Sequence, residues 1–242
     1  MIRGILFDKD GTLIDFFSLW LKAALKVVPE FLRENQIEDS PEMIDYILEV
    51  IGVEGQTVNP EGALAYKSYG EMAEEIRKAL EKRGYILETI KIHIQIEILF
   101  QESVTGENAS FKQLGDIRSI AEELKKRHIY MGLATADTIS SAEDCLKSMN
   151  IFHLFDYIGA DDGEKRPKPE KDMFLEFQQN FGLKAEEIAV VGDTCNDMQF
   201  ARNGGGIGIG VLSGVSTEND FQGKTDYVIE SIQQLPDLLD RM

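Results

Sequence analysis

From residue 117 to its end the chain repeats one pattern, a short apolar run followed by a stretch with apolar residues at helical spacing. Ile117, Ile120, Ala121 and Leu124 form a helical stripe, and residues 129–134 form a compact apolar run. Helical spacing then continues to about Met149, with a short strand near 157–159 and a helix over 172–181. Strand 188–191, a helix to Asn203, strand 206–211, strand 227–229 and a last helix complete the series. Residues 2–7 supply one further apolar run at the start. Strands that alternate with helices need right-handed crossovers, and these lay the strands parallel in a sheet covered on both faces. The pattern therefore predicts an α/β fold, with ligands bound outside the carboxyl ends of the strands.

Between the first strand and its companions lies a long insertion that reads as helical, with no strand signal. Residues 16–32 carry Leu21, Leu25 and Val28 at helical spacing. Ser40 and Pro41 read as an N-cap and first helical residue of a helix reaching about Ile51. A loop is expected over 52–59, with a short helix starting at Pro60. Met72, Ile76, Ala79 and Leu80 make one apolar stripe, stopped by Gly84. Residues 90–98 place isoleucine at every other position, a period of two that belongs to a strand. Their neighbourhood is helical, and 89–100 are read as a well-buried helix, with His93 at a core edge or on the surface. The polar stretch 105–110 reads as a return linker. The domain boundaries expected are thus 1–14 with 106–242 for the sheet domain and 15–105 for the inserted helices.

Charge narrows the partners. The formal net charge of −18 argues against nucleic acid or an anionic membrane, since polyanions require a basic footprint. A small phosphorylated ligand remains compatible, provided cations gather locally. Cys145 and Cys195 are the only cysteines and have no metal-type spacing, which suggests a reduced, cytoplasmic protein without disulfides. No apolar run approaches membrane-spanning length, and strand-like sequence starts too early to leave room for a signal peptide. Oligomeric state leaves no trace in the sequence.

Four strand ends carry chemistry. The first apolar run stops at Asp8-Lys9-Asp10-Gly11-Thr12, whose two acids, two residues apart, should emerge on one side. Their repulsion calls for a divalent cation, and oxygen ligands suit magnesium; a solvated turn is the plain alternative. The run 129–134 stops at Thr135-Ala136-Asp137, where a hydroxyl and backbone N–H groups entering a helix would form an anion site or merely a cap. Lys165, Arg166 and Lys168 sit in one loop, with Pro167 and Pro169 stiffening the chain around Lys168. The run 188–191 gives way to Gly192-Asp193-Thr194-Cys195-Asn196-Asp197, whose acids would either bind metal or compensate the helix dipole.

Taken together, Asp8-x-Asp10-Gly11-Thr12, Thr135, Lys168-Pro169 and Gly192-Asp193-x-x-x-Asp197, in that order, resemble the four motifs of the haloacid dehalogenase-like hydrolases. The long gap after the first motif resembles the phosphoglycolate phosphatase-like branch, and 208–211 with Ser213-Gly214 resembles its penultimate strand and loop. The resemblance implies a Rossmann-like three-layer core with a parallel sheet, plus an inserted α-helical cap domain. It also implies a magnesium-dependent phosphatase acting on a small phosphorylated metabolite through an aspartyl-phosphate. Asp8 would be the nucleophile and Asp10 the general acid and base. Asp8, Asp10 (through its carbonyl), Asp193 and Asp197 would surround Mg2+, and Thr135, Ala136 and Lys168 would bind the phosphoryl group. Two departures stand out: Ala136 replaces the asparagine or glycine of many relatives, and Lys171 replaces a proline of the third motif. The alternatives are a sugar phosphomutase of the same superfamily and a binding protein that keeps the fold without turnover. Dehalogenation fits poorly, because the resembling dehalogenases lack the acid at the position of Asp10.

Overall fold

A computed structural model describes residues 1–104 and 111–242, which fall into two compact units, Met1–Phe16 with Phe111–Met242, and Phe17–Ser110. The first strand, β1 (Gly4–Phe7), is shorter than the apolar run and wholly buried. The expected return linker, 105–110, lies outside the described residues.

The Phe17–Ser110 unit is built on α1 (Lys22–Glu34), preceded by one wider helical turn, and on α2 (Pro41–Val50). Ser40 caps α2 by accepting a hydrogen bond from the Met43 N–H, as its sequence signature predicts. A small antiparallel hairpin, β2 (Val53–Glu54) with β3 (Thr57–Val58), replaces the loop expected over 52–59. Two-residue strands are too short to show a period in sequence. The next helix, α3 (Ala63–Tyr66), starts at Ala63, after Gly62 at the N-cap, and not at Pro60. In α4 (Tyr69–Lys82), Met72, Ile76, Ala79 and Leu80 are all buried, and Ser68 with Glu71 forms a capping box.

The isoleucine-rich segment is a helix, α5 (Thr89–Val104). It is not buried all round. Ile92 and Ile96 face inward with Leu99 and Phe100, whereas Ile90, Ile94 and Ile98 are 59%, 52% and 49% exposed. The two sets lie on opposite faces because alternate residues in a helix advance by about 200°. Leu25 of α1 is likewise exposed, so the stripe expected there is carried by Leu21 and Val28 without it.

The first unit continues with α6 (Ile117–Lys126), β4 (Tyr130–Thr138), α7 (Ile139–Ser148) and β5 (Tyr157–Asp161). It ends with α8 (Asp172–Phe181), β6 (Ile188–Gly192), α9 (Cys195–Gly204), β7 (Ile207–Val211), α10 (Glu218–Phe221), β8 (Tyr227–Ile229) and α11 (Leu235–Leu239). The six long-range strands pair in parallel in the order β5-β4-β1-β6-β7-β8. Side chains along β1 part to opposite faces. Ile5 and Phe7 join the α6, α7 and α11 layer, and Leu6 meets Phe174, Phe177 and Phe200 of α8 and α9. The result is a three-layer α/β core with β1 at its centre, and the chain crosses to either side of β1 through β4 and β6. That switch of direction opens a crevice at the carboxyl end of β1.

β4 is longer than its apolar run. It extends four residues past Ala134, its pairing with β5 shifts between Ala134 and Thr138, and α7 starts only at Ile139. Among the described residues, no helix is long and apolar enough to cross a membrane.

Candidate active site

Phe7 pairs with Leu133 and Val191 in the ladders on its two sides, so the residues following these three positions meet at one edge. Asp8 extends the ladder by donating its N–H to the Val191 carbonyl (2.8 Å). Asp8, Asp193 and Asp197 each offer a carboxylate oxygen, and these oxygens lie within 4.8 Å of one another, all buried. Asp8 of the first motif and the acids of the fourth therefore converge, although 185 residues separate Asp8 from Asp193.

Lys168 reaches this cluster from the loop before α8. Its Nζ donates to Asp8 Oδ1 (2.5 Å) and to Asp197 Oδ1 (2.6 Å), and it is almost wholly buried. The other cations of that loop go elsewhere. Lys165 pairs with Asp162 at 2.6 Å and Arg166 with Asp172 at 2.7 Å. Lys171 is exposed at the start of α8 and makes no side-chain cap there.

Asp197 caps α9, one of the two alternatives read from the sequence. Its Oδ2 accepts from the Thr194 N–H (3.1 Å) and hydroxyl (2.6 Å), capping α9, while Oδ1 holds Lys168. Asp193 sits just before that helix. Its Oδ2 accepts the Val215 N–H (2.8 Å), whereas its buried Oδ1 has no hydrogen-bond partner among the described residues. A buried carboxylate oxygen without a donor is costly, and a cation coordinated there would satisfy it. Backbone crowds this acid from two sides. A Cβ on Gly11 or on Gly214 would collide with its carboxylate, and Gly11 also holds a φ of +83°. Ser213 ties the two segments together by donating its hydroxyl to the Gly11 carbonyl (2.8 Å).

The electrostatics follow from burying like charges together. Burial pushes the Asp8 carboxyl up to about 7, helped by the negative charges of Asp197 and Asp10 and opposed by Lys168. Burial, with the charges of Asp8 and Asp197, raises Asp193 well above the usual carboxylate range. Burial would lower Lys168, yet the carboxylates of Asp197 and Asp8 outweigh it and hold the ammonium protonated. One lysine against three acids leaves the cluster short of positive charge. Three buried oxygen donors with a net deficit fit a hard divalent cation.

Asp10 does not join this cluster with its side chain. Its Oδ2 pairs with Lys9 Nζ at 2.9 Å, and Lys9 is also paired with Asp137 at 3.0 Å. Of the two acids of the first motif, Asp8 alone brings its carboxylate to Asp193 and Asp197, because a lysine between the two supplies Asp10 with its own counter-charge. Thr135 is buried, and its Oγ1 accepts the Asp137 N–H (3.2 Å). Ala136 is partly buried and precedes α7 by three residues, so no helix N-terminus opens at this point. The helix expected directly after Thr135 thus begins later, at Ile139, because β4 runs on to Thr138. Thr138, not Thr135, caps α7, accepting from the Ser141 N–H.

Sequence reasoning missed Lys9 and Asp137. Lysine at a strand exit ordinarily points to water, and only the tertiary fold shows it enclosed. In the Phe17–Ser110 unit, Trp20 packs on Tyr69 and Phe100, and Lys22 and Arg33 are exposed. Cys195 is partly buried, its thiol donating to the Asp220 carbonyl.

The family model described as haloacid dehalogenase-like hydrolase matches residues 2–205. The chain belongs to that family. This hydrolase is 26% identical over 243 residues to a Clostridium perfringens protein named as a candidate pyrophosphatase, covering 100% of this chain and 99% of the relative. It is 25% identical to the phosphoglycolate phosphatase of Shigella boydii, covering 97% of this chain and 91% of the relative. Its fold matches the crystal structure of a hydrolase from Pseudomonas syringae with a TM-score of 0.71 and 22% identity, over 100% and 99% of the two chains.

Proposed function

We propose that this hydrolase is a magnesium-dependent phosphatase of small phosphorylated metabolites, working through an aspartyl-phosphate on Asp8. The observation that carries the reading is the buried triad of Asp8, Asp193 and Asp197, with Lys168 between two of its members and an Asp193 oxygen that meets no donor among the described residues. The named activities of the relatives, a pyrophosphatase and a phosphoglycolate phosphatase, support a small anionic phosphate as substrate.

The residues divide the work as follows. Asp8 attacks phosphorus, the bond from phosphorus to the leaving oxygen breaks, and Asp10 gives that oxygen its proton. Water then attacks the phosphorus of the aspartyl-phosphate, Asp10 takes the water's proton, and the bond to Asp8 breaks to release inorganic phosphate. Lys168, oriented by Asp197, faces the phosphoryl oxygens together with the Thr135 hydroxyl and the Ala136 backbone. Asp8, Asp193, Asp197 and the Asp10 carbonyl would hold Mg2+, which offsets the repulsion between nucleophile and phosphate. Residues 1–14 and 106–242 form the catalytic core in this reading, and 15–105 a cap that selects the leaving group.

The test is release of inorganic phosphate from a panel of phosphorylated acids and sugar phosphates, with and without magnesium. Magnesium-dependent release from at least one member is expected. A folded protein that binds magnesium and releases no phosphate would leave the binding-protein reading, and turnover only with a bisphosphate primer would favour the phosphomutase.

A further inference from the structure

We propose that Lys9 is a positioning residue that fixes the direction of the Asp10 carboxylate for proton transfer to the leaving group; the inference rests on the acid role given to Asp10 above. Lys9 follows the nucleophile directly, at a place where the chain leaves the sheet and most lysines would turn outward. Here the side chain is 1% exposed and its ammonium lies between Asp10 Oδ2 (2.9 Å) and Asp137 Oδ2 (3.0 Å).

Burying an ammonium is expensive unless carboxylates meet it, so a fold that retains one inside has committed those carboxylates to fixed places. Asp137 is anchored independently. Its Oδ1 accepts the Thr138 N–H (2.8 Å), its Oδ2 accepts the Ser141 hydroxyl (2.8 Å), and both donors belong to the start of α7. The Lys9 backbone is equally held, since its carbonyl accepts from the Leu13 N–H (2.9 Å) and the Ile14 N–H (3.0 Å). A rigid link thus runs from α7 through Asp137 and Lys9 to Asp10. With Oδ2 tied to that link, the direction of Oδ1 is set as well, and proton transfer requires the acid within hydrogen-bond reach of one particular oxygen. The link joins the turn after β1 to the end of β4, so the acid is held by a second strand as well as by the short turn that carries it.

A lysine that merely filled space would affect every substrate alike. A lysine that aims the acid matters only where the leaving oxygen needs a proton. The experiment measures kcat/KM, with saturating magnesium, for phenyl phosphate, whose leaving oxygen must be protonated, and for dinitrophenyl phosphate, whose phenolate departs unaided. Lys9→Met is expected to lose at least ~10-fold on phenyl phosphate, within the range for a general acid, and less than ~3-fold on dinitrophenyl phosphate. Equal losses on both substrates would overturn the inference. Asp10→Asn is the control: if it shows no contrast between the substrates, the acid role itself fails, whereas contrast in Asp10→Asn without contrast in Lys9→Met overturns the positioning role alone. Lys9→Met strands the Asp137 charge, so Lys9→Met/Asp137→Asn carries the comparison if the single variant does not fold. Its thermal stability should recover while the loss on phenyl phosphate persists; recovery of both would mean that Lys9 only stabilises the core.

Discussion

Magnesium binding to this hydrolase should expel a proton from Asp8. In the metal-free protein burial raises that carboxyl from 3.8 to about 7, so a coordinating carboxylate must be made from a largely protonated one below neutrality. With a value of about 7, roughly 9% of Asp8 is ionised at pH 6 and roughly 91% at pH 8, so the magnesium Kd should tighten about tenfold between them. From pH 5 to pH 8 the change approaches 100-fold, and steeper dependence would report a second proton, from Asp193, whose carboxyl is also raised. The effect on stability has the opposite sign in the two forms. A carboxyl raised in the folded state stabilises the metal-free fold at pH below its unfolded value of about 4, and that contribution is lost as pH rises through about 7. Metal-free Tm should therefore fall between pH 5 and 8 on this account, and the increase in Tm caused by magnesium should grow over the same span. Calorimetric titration in two buffers of different ionisation enthalpy counts the protons released, and Asp8→Asn should flatten the profile. A Kd that stays constant from pH 5 to 8, with no proton release, would refute the charge deficit inferred for the cluster.

The other predictions address single residues. Asp8→Asn should keep the circular dichroism of the native fold while phosphate release falls below a few per cent, and retained turnover would remove Asp8 as nucleophile. Asp193→Asn should weaken magnesium binding by ~10-fold or more, read by metal titration, since even outer groups around a metal commonly matter that much; an unchanged titration would contradict its role as a ligand. Gly214→Ala places a methyl against the Asp193 carboxylate and should displace it from the Val215 N–H, lowering both magnesium affinity and Tm, and a variant indistinguishable from wild type would show that this contact yields.

Which parts of the molecule were legible in the sequence follows from the range of the forces involved. The ends of α8 and β8 and the Ser40 cap of α2 are local matters of periodicity, capping and apolar runs, and each lies where the pattern puts it. Helix α5 shows the limit. Its alternating isoleucines have a strand period, and only packing against α1 and α4 selects the helix, leaving Ile90, Ile94 and Ile98 outward.

At the site, sequence determined which residues could do chemistry, because Asp8, Lys168, Asp193 and Asp197 follow strands of one parallel sheet and Thr135 lies within β4 shortly before it ends. Tertiary structure decided how they are shared out. Lys168 serves Asp8 and Asp197, Lys9 serves Asp10 and Asp137, and Asp193 is left with an oxygen that accepts no hydrogen bond from the described residues. The sign and spacing of charges are written along the chain, but the pairing of buried charges depends on which side chains the fold shuts away from water together.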